Sequence, residues 1–270
     1  MILDHFQIDD VEWFLGLAAA ENWVAEAWEF EFLFSAFPEG CLTLRNEAGN
    51  PVGFVTSIRH DRSGWIGNLI VDRLHRGKGL GEALFVNALN ALHAAGTETV
   101  WLTASKMGRP LYEKYGFTSI DTIIRWTGRG RCELKKYSES CEAVFDHNTD
   151  RIGWGDCREL LLKHIARRGS VLTSGSASAV IQPCKSFMQI GPIAAINPGD
   201  ASDVMDMALA ESPLNSKIYI DAPDSNQSAK RLLCEKDFVS NGENELMFSG
   251  VRPAYRPEYI YGLATLGSCG

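Results

Sequence analysis

The run Arg76-Gly77-Lys78-Gly79-Leu80-Gly81 is the densest cluster of chemically suggestive residues in the chain. Successive small residues let backbone N–H groups converge on one point, and a helix opening behind them adds partial positive charge. A pyrophosphate suits such a cradle, with Arg76 and Lys78 as counter-charges. Spacing excludes two familiar loops. A Walker A loop needs a glycine where Asp72 stands and a hydroxyl residue where Gly79 follows the lysine. A dinucleotide fingerprint needs its third glycine where Glu82 stands. On the glycines alone, a phosphate cradle and a plain connecting turn are equally good readings.

A cradle of this kind needs a strand in front and a helix behind. Trp65 to Val71 reads as the strand, and Leu84, Ala88, Ala91 and Leu92 recur at helical spacing behind the glycines, with Gly96 closing the helix. Upstream, Asp9, Asp10 and Glu12 open a helix with Trp13, Leu17 and Ala20 on one face, and a second helical run covers 25–36. Residues 40–45 and 51–59 read as strands joined by turn residues 46–50. Downstream come a strand at 99–103, a short helix at 108–115 stopped by Gly116, and a strand at 119–127. The stretch 128–150 is polar and irregular and is read as the boundary between a domain at 1–130 and another at 145–270.

The second half repeats much of this order: a helix at 157–167, strands at 170–173, 177–182 and 187–196, a helix at 201–211, a strand at 217–221, a helix at 225–236 and a strand at 245–248. Ser105, Gly108, Leu111, Tyr112 and Phe117 align with Asn226, Ala229, Leu232, Leu233 and Phe238, each pair 121 residues apart. A duplication explains a constant offset better than two unrelated amphipathic helices do.

Arg76-x-x-Gly79-x-Gly81 after an apolar strand, followed by a strand and then Leu111-Tyr112-Glu113-Lys114-Tyr115-Gly116-Phe117, resembles the GNAT superfamily of N-acetyltransferases over about residues 1–128. The resemblance implies an α/β fold with a mixed sheet, here as two tandem GNAT-like domains. It implies acetyl-CoA as co-substrate, its pyrophosphate held by Arg76, Gly77, Lys78, Gly79, Leu80 and Gly81. Leu69 and Val71 match the strand positions that pair with the pantetheine arm and polarise the thioester carbonyl. Tyr112 matches the tyrosine that protonates the leaving thiolate, a role open to a phenol of pKa near 10. Ser105 stands where the family commonly has an asparagine contacting the cofactor. The implied reaction is direct attack of a primary amine in a ternary complex, the acceptor being a small molecule or a peptide amine. Two rivals are a non-catalytic acyl-CoA sensor and a transferase of a longer acyl group.

The second half departs from this pattern. Asn197-Pro198-Gly199-Asp200 replaces the glycine loop and Leu233 replaces the tyrosine, so no CoA site is expected there. Such a tandem imitates a dimer of single-domain enzymes, and a monomer is expected. No general base stands out: Glu26, Glu29 and Glu31 lie in the region that lines the acceptor pocket of similar proteins, but acids on a helix are usually a solvated face. Tyr115 reads as a packing residue, Asp72 as a loop brace, and His5, His60, His75 and His93 show no pairing.

Composition narrows the surroundings. The 270 residues are 45% hydrophobic and 22% charged, which is globular, and the net charge of −8 argues against nucleic acid as a partner. No apolar run reaches the roughly 18 residues of a membrane helix, and no signal peptide is visible. The seven cysteines lack any CxxC spacing, so no metal site is expected and a reducing, cytoplasmic location fits.

Overall fold

The computed structural model describes residues 1–132 and 144–270; the expected domain boundary and Cys141 fall largely or wholly outside them. The first half runs β1 (Ile2–His5), α1 (Val11–Ala20), α2 (Trp28–Ala36), β2 (Leu42–Arg45), β3 (Pro51–Arg59), β4 (Ser63–Val71), α3 (Leu80–Ala94), β5 (Thr99–Ala104), α4 (Arg109–Lys114) and β6 (Thr118–Arg129). The second runs α5 (His147–Trp154), α6 (Glu159–Arg168), β7 (Ser170–Ser174), β8 (Ala177–Pro183), β9 (Met188–Ala194), α7 (Pro198–Glu211), β10 (Lys217–Pro223), α8 (Gln227–Glu235), β11 (Val239–Gly250) and β12 (Ile260–Gly262).

All described strands join one mixed sheet in the order β1-β2-β3-β4-β5-β11-β6-β10-β9-β8-β7, with β12 added beside β9. The two halves exchange their long last strands. β11 lies antiparallel between β5 and β6, and β6 lies between β11 and β10. The alternation of β11 explains its place: Leu246 and Phe248 enter one core while Met247 enters the core on the opposite face. β6 likewise sends Ile123 into one core and Trp126 into that of the second half.

Under α3, the buried Leu84, Phe85, Ala88 and Leu92 pack on Val52, Val55, Val100 and Leu102. On the other face Phe6, Phe14, Phe30 and Phe54 form an aromatic cluster, with ring centres 4.5 to 6.0 Å apart for five pairs among them. That cluster corrects the expected face of α1. Val11, Phe14 and Ala18 are buried and Trp13 is 52% exposed. The helix turns this way because β1, which the sequence pattern does not reveal, brings Phe6 against Phe14. Helix α5 begins in the stretch that reads as polar and irregular; Asp146 caps it by accepting from the Asn148 N–H at 2.9 Å. The loop after α5 holds Asp156, whose carboxylate accepts from the N–H (2.8 Å) and hydroxyl (2.6 Å) of Ser63 and so fastens the second half to the start of β4.

Candidate active site

Strand β4 pairs in parallel with β5 only from Ser63 to Trp65 and then leaves it. A bulge turns it away. Between the pairs Thr56–Gly67 and Phe54–Ile70, β4 uses one residue more than β3. Asn68 absorbs the extra step at φ 55°, a left-handed conformation asparagine tolerates, and its Nδ2 donates to Thr56 Oγ1 at 3.0 Å. The edge of residues 66–71 that faced β5 is left without a strand partner among the described residues. A cleft of about 740 Å³ opens there.

Leu69, Val71, Arg76, Gly77, Gly79, Leu80, Gly81, Ser105 and Tyr112 all line this cleft; Lys78 does not. Gly77 and Gly79 both have φ 74° with open space where a Cβ would stand, so their requirement for glycine is conformational rather than steric. Gly79 is the N-cap of α3 and offers no side-chain acceptor, so the first-turn N–H groups of this 15-residue helix face the cleft uncapped. Arg76 is already engaged. Its Nε donates to the Val71 carbonyl at 2.9 Å, and its Nη2 meets Glu21 at 2.7 Å. Arg73 also grips Glu21, and the two guanidiniums hold that carboxyl down at about 2. Ser105 accepts from the Gly108 N–H at 3.2 Å and tightens the turn into α4.

Tyr112 is 8% exposed and packs its ring against Phe85 at 5.1 Å, while its hydroxyl has no hydrogen-bond partner among the described residues. Burial pushes its phenol up to about 12. Tyr115, one helical turn on, donates to Glu82 at 2.5 Å, and Lys114 pairs with the same carboxylate, tying α4 to α3. Gly116 at φ 79° ends the helix.

The acids of the second helix separate sharply. Glu31 is exposed and Glu26 is half-buried, whereas Glu29 is 7% exposed and lines the cleft. Burial pushes its carboxyl up to about 7, with neighbouring Glu26 adding to the rise and Ser268, Arg168 and Arg125 opposing it. In the sequence Glu26, Glu29 and Glu31 are alike, and nothing local separates Glu29 from its neighbours. The available signal was its place beside Phe30, Phe32 and Leu33 on a helix that buries most of its surface.

The remaining wall comes from the second half. Asn244 of β11 and residues Leu266, Gly267 and Ser268 complete the cleft. Arg125 of β6 holds this segment by donating to the Leu266 carbonyl at 3.0 Å, while pairing with both oxygens of Asp221 at 2.8 and 2.7 Å. Trp65 Nε1 donates to the Gly267 carbonyl at 3.3 Å. None of these contacts is visible from local sequence.

The matching place in the second half is filled by the chain itself. β9 and β10 pair in parallel only at Met188–Gln189 and Ile218–Tyr219, then part as β4 and β5 do. β12 enters the gap and pairs with β9 at Ile193 and Ala194. Asn226, the counterpart of Ser105, donates from Nδ2 to the carbonyls of Pro257 and Ile260, both at 3.0 Å. The N-terminus of α7 is capped by Asn197, and Asp200 there accepts from Ser176 N–H and hydroxyl at 2.7 Å each. A helix end already satisfied and carrying its own acid repels a phosphate.

Among the described residues, no three His, Cys, Asp or Glu side chains are grouped to hold a metal, and no helix is long and apolar enough to cross a membrane.

Family models of the acetyltransferase (GNAT) domain match residues 23–128 and 147–262. A solved chain from Pyrococcus horikoshii, assigned as an acetyltransferase, is similar over 100% of this chain and 95% of its own, with TM-score 0.83 and 21% identity. A GCN5-related N-acetyltransferase from Sphaerobacter thermophilus is similar over 94% of this chain and 98% of its own, with TM-score 0.69 and 13% identity. A fungal GCN5-related glucosamine N-acetyltransferase region matches 92% of this chain and 38% of its longer chain, with TM-score 0.66 and 14% identity. No curated protein sequence matches the chain.

Proposed function

The chain belongs to the GNAT acetyltransferases, two of whose domains it carries in tandem, and we propose that its first half transfers an acetyl group from acetyl-CoA to a primary amine. The observation that carries this reading is the convergence on one cleft of an unpaired strand edge, an uncapped helix N-terminus, a buried carboxyl near 7 and a buried tyrosine. Acetyl-CoA supplies the acyl group already activated as a thioester. Residues 76–81 are fitted to its pyrophosphate, through the N–H groups at the start of α3. Arg76, committed to Glu21 and Val71, braces the loop and adds positive potential from behind. The free edge at Leu69 and Val71 is fitted to the amide groups of the pantetheine arm. Its N–H groups oppose the negative charge that develops on the carbonyl oxygen, and one such donor is worth about 2.7–4 kcal/mol of barrier.

Glu29 is the base. An amine attacks only when neutral, and a carboxylate near 7 accepts its proton without being so weak a base that transfer stalls. Tyr112 faces the departing sulfur. With its phenol near 12 it is always protonated at neutral pH, so it is always ready to donate. A thiolate of pKa about 8.5 is a weaker base than this phenolate, so Tyr112 stabilises the sulfur chiefly as a hydrogen-bond donor as the C–S bond breaks.

The second half is assigned no acyl-CoA. Its groove is occupied by β12 and its helix end is self-capped, and its contribution is the acceptor-side wall. Because each half closes the other, the chain is expected to act as a monomer. Calorimetric titration with acetyl-CoA tests the reading directly. One site per chain is expected; two sites would overturn the assignment of the second half, and none would overturn the whole. Tyr112→Phe is expected to keep that affinity and lower kcat for thiol release by about 10- to 100-fold. Binding without turnover of any amine would leave an acyl-CoA sensor instead.

A further inference from the structure

A second, smaller cavity of about 240 Å³ adjoins the cleft, and both are lined by Trp23, Val24 and Ala25. Its other lining residues are Glu26, Ser186, Phe187, Lys217 and Tyr219. It lies on the Glu26–Glu29 side of the cleft, where an acceptor rather than a cofactor would enter. The charges around the two cavities are arranged unevenly. Of the basic side chains that line them, Arg76 is paired with Glu21, Arg125 with Asp221 and Lys106 with Glu243. Lys217 is the exception. Among the described residues it has no carboxylate partner, and its ammonium rests over the Tyr219 ring at 4.6 Å. Among the described residues Glu26 and Glu29 are likewise without a cationic partner within ion-pair distance, and there Glu26 accepts only from the Lys185 N–H at 3.3 Å. Tyr219 is 7% exposed, is packed against Phe187 at 5.3 Å, and has a hydroxyl with no partner among the described residues.

Buried or half-buried charges without partners are costly unless a ligand completes them. Here the uncompensated groups form two sets: acids from the segment between α1 and α2 and from α2 itself, and a cation beside an unpartnered phenol on β10. Resting on the amine-acetylation reading above, we infer that the acceptor is an amino acid zwitterion. Its amine is held toward Glu29 and Glu26, and its carboxylate is held by Lys217 Nζ and the Tyr219 hydroxyl. Trp23 and Phe187 supply apolar wall between the two ends. A diamine would satisfy the acids and leave the Lys217 end opposed by like charge, which disfavours it.

The test follows thiol release from acetyl-CoA with a panel of α-amino acids, β-alanine and 4-aminobutyrate, the carboxamide of each, and putrescine and spermidine. The best acceptor is expected to be an amino acid, with its carboxamide at a KM about ten-fold or more higher, since a site built for a polar group rejects the analogue lacking it. Lys217→Met is expected to raise the KM of the amino acid by a similar factor, leaving its kcat and the KM of the carboxamide in place, and Lys217→Arg is expected to restore it. Equal KM for acid and carboxamide, preference for a diamine, or an unmoved KM in Lys217→Met would each overturn the inference. Acetyl-CoA binding with no turnover of any amino acid would overturn it too while leaving the CoA site standing. Absence of acetyl-CoA binding would instead remove the reading on which it rests.

Discussion

A carboxyl group with a raised pKa leaves two separate traces, one in catalysis and one in stability, and Glu29 is expected to show both. With Glu29 as the proposed base, its ionised form is the active one in the free enzyme, and kcat/KM is expected to rise as pH passes through about 7. Glu29→Gln is expected to remove the inflection near 7, leaving the rise set by the amine's own deprotonation, and to cost about 10²- to 10⁴-fold in rate, read from the pH–rate profile. The stability trace has the opposite sign. The folded pKa lies above the unfolded value of 4.5, so the native state binds the extra proton between the two, and stability falls as pH rises from 4.5 through 7. Above that window the burial cost is fully present. Glu29→Gln therefore should be more stable than the parent at pH 8, by up to roughly 3 kcal/mol in urea unfolding, and no different at pH 4. Loss of rate with gain of stability separates a base held at a cost from a merely structural side chain. What sequence could show at this scale was whatever depends on local spacing. The glycines at 77 and 79 and the short helix carrying Tyr112 declare themselves within a few positions. Glu29 does not, because what raises its carboxyl is burial in the assembled fold, against the opposing influence of Ser268, Arg168 and Arg125 from far away in the chain.

At the scale of elements, the residues from 257 to 270 serve both halves. Residues 260–262 occupy the second half's groove as β12, and 266–268 wall the first half's cleft. The contact with β4 is close. A Cβ on Gly67 would stand 2.3 Å from the Ser268 carbonyl oxygen, a backbone atom that no side-chain rotation can move aside. Gly67→Ala is therefore expected to displace the wall, costing about 1–3 kcal/mol of stability. Steady-state kinetics should show a raised KM for the amine, and calorimetry an affinity for acetyl-CoA that changes much less, since the glycine loop lies elsewhere. An unchanged acceptor KM would mean that this segment does not shape the acceptor site. Hydrophobic periodicity located most helices and strands to within a few residues, because burial of one face is a local demand. It missed β1, whose four residues are largely exposed, and it misplaced the buried face of α1, which depends on β1. It also shortened β11 to four residues, because Val239 to Glu243 are exposed and mostly polar and hold their place through pairing with β6.

At the scale of the whole molecule, the exchange of β6 and β11 makes the two halves one cooperative unit despite their separate family matches. β6 pairs with β10 along seven positions, from Ile123 to Arg129, and β11 pairs with β5 along six, from Thr99 to Ala104. A fragment ending at residue 132 would expose both edges of β6 and the open edge of β5. A fragment starting at 144 would leave β11 with no neighbour and β10 with an open edge. Exposed edges of this length template aggregation. The buried faces compound the problem, since Trp126 has its core partners in the second half, Met247 has its own in the first, and Leu246 and Phe248 lie in a core built from both halves. Sequence could reveal the duplication but not the exchange, because a strand's alternation records which faces are buried and not which neighbour supplies its hydrogen bonds. Produced alone, the pieces 1–132 and 144–270 are each expected to be insoluble or unfolded by circular dichroism. Refolded together, they should associate one to one, recover the native spectrum and regain acetyl-CoA binding. Independent folding of the first piece with full acetyl-CoA affinity would show instead that β6 can return to β5, leaving the second half needed only for the acceptor wall. In that case amine turnover, and not cofactor affinity, would be the property restored by adding the second piece.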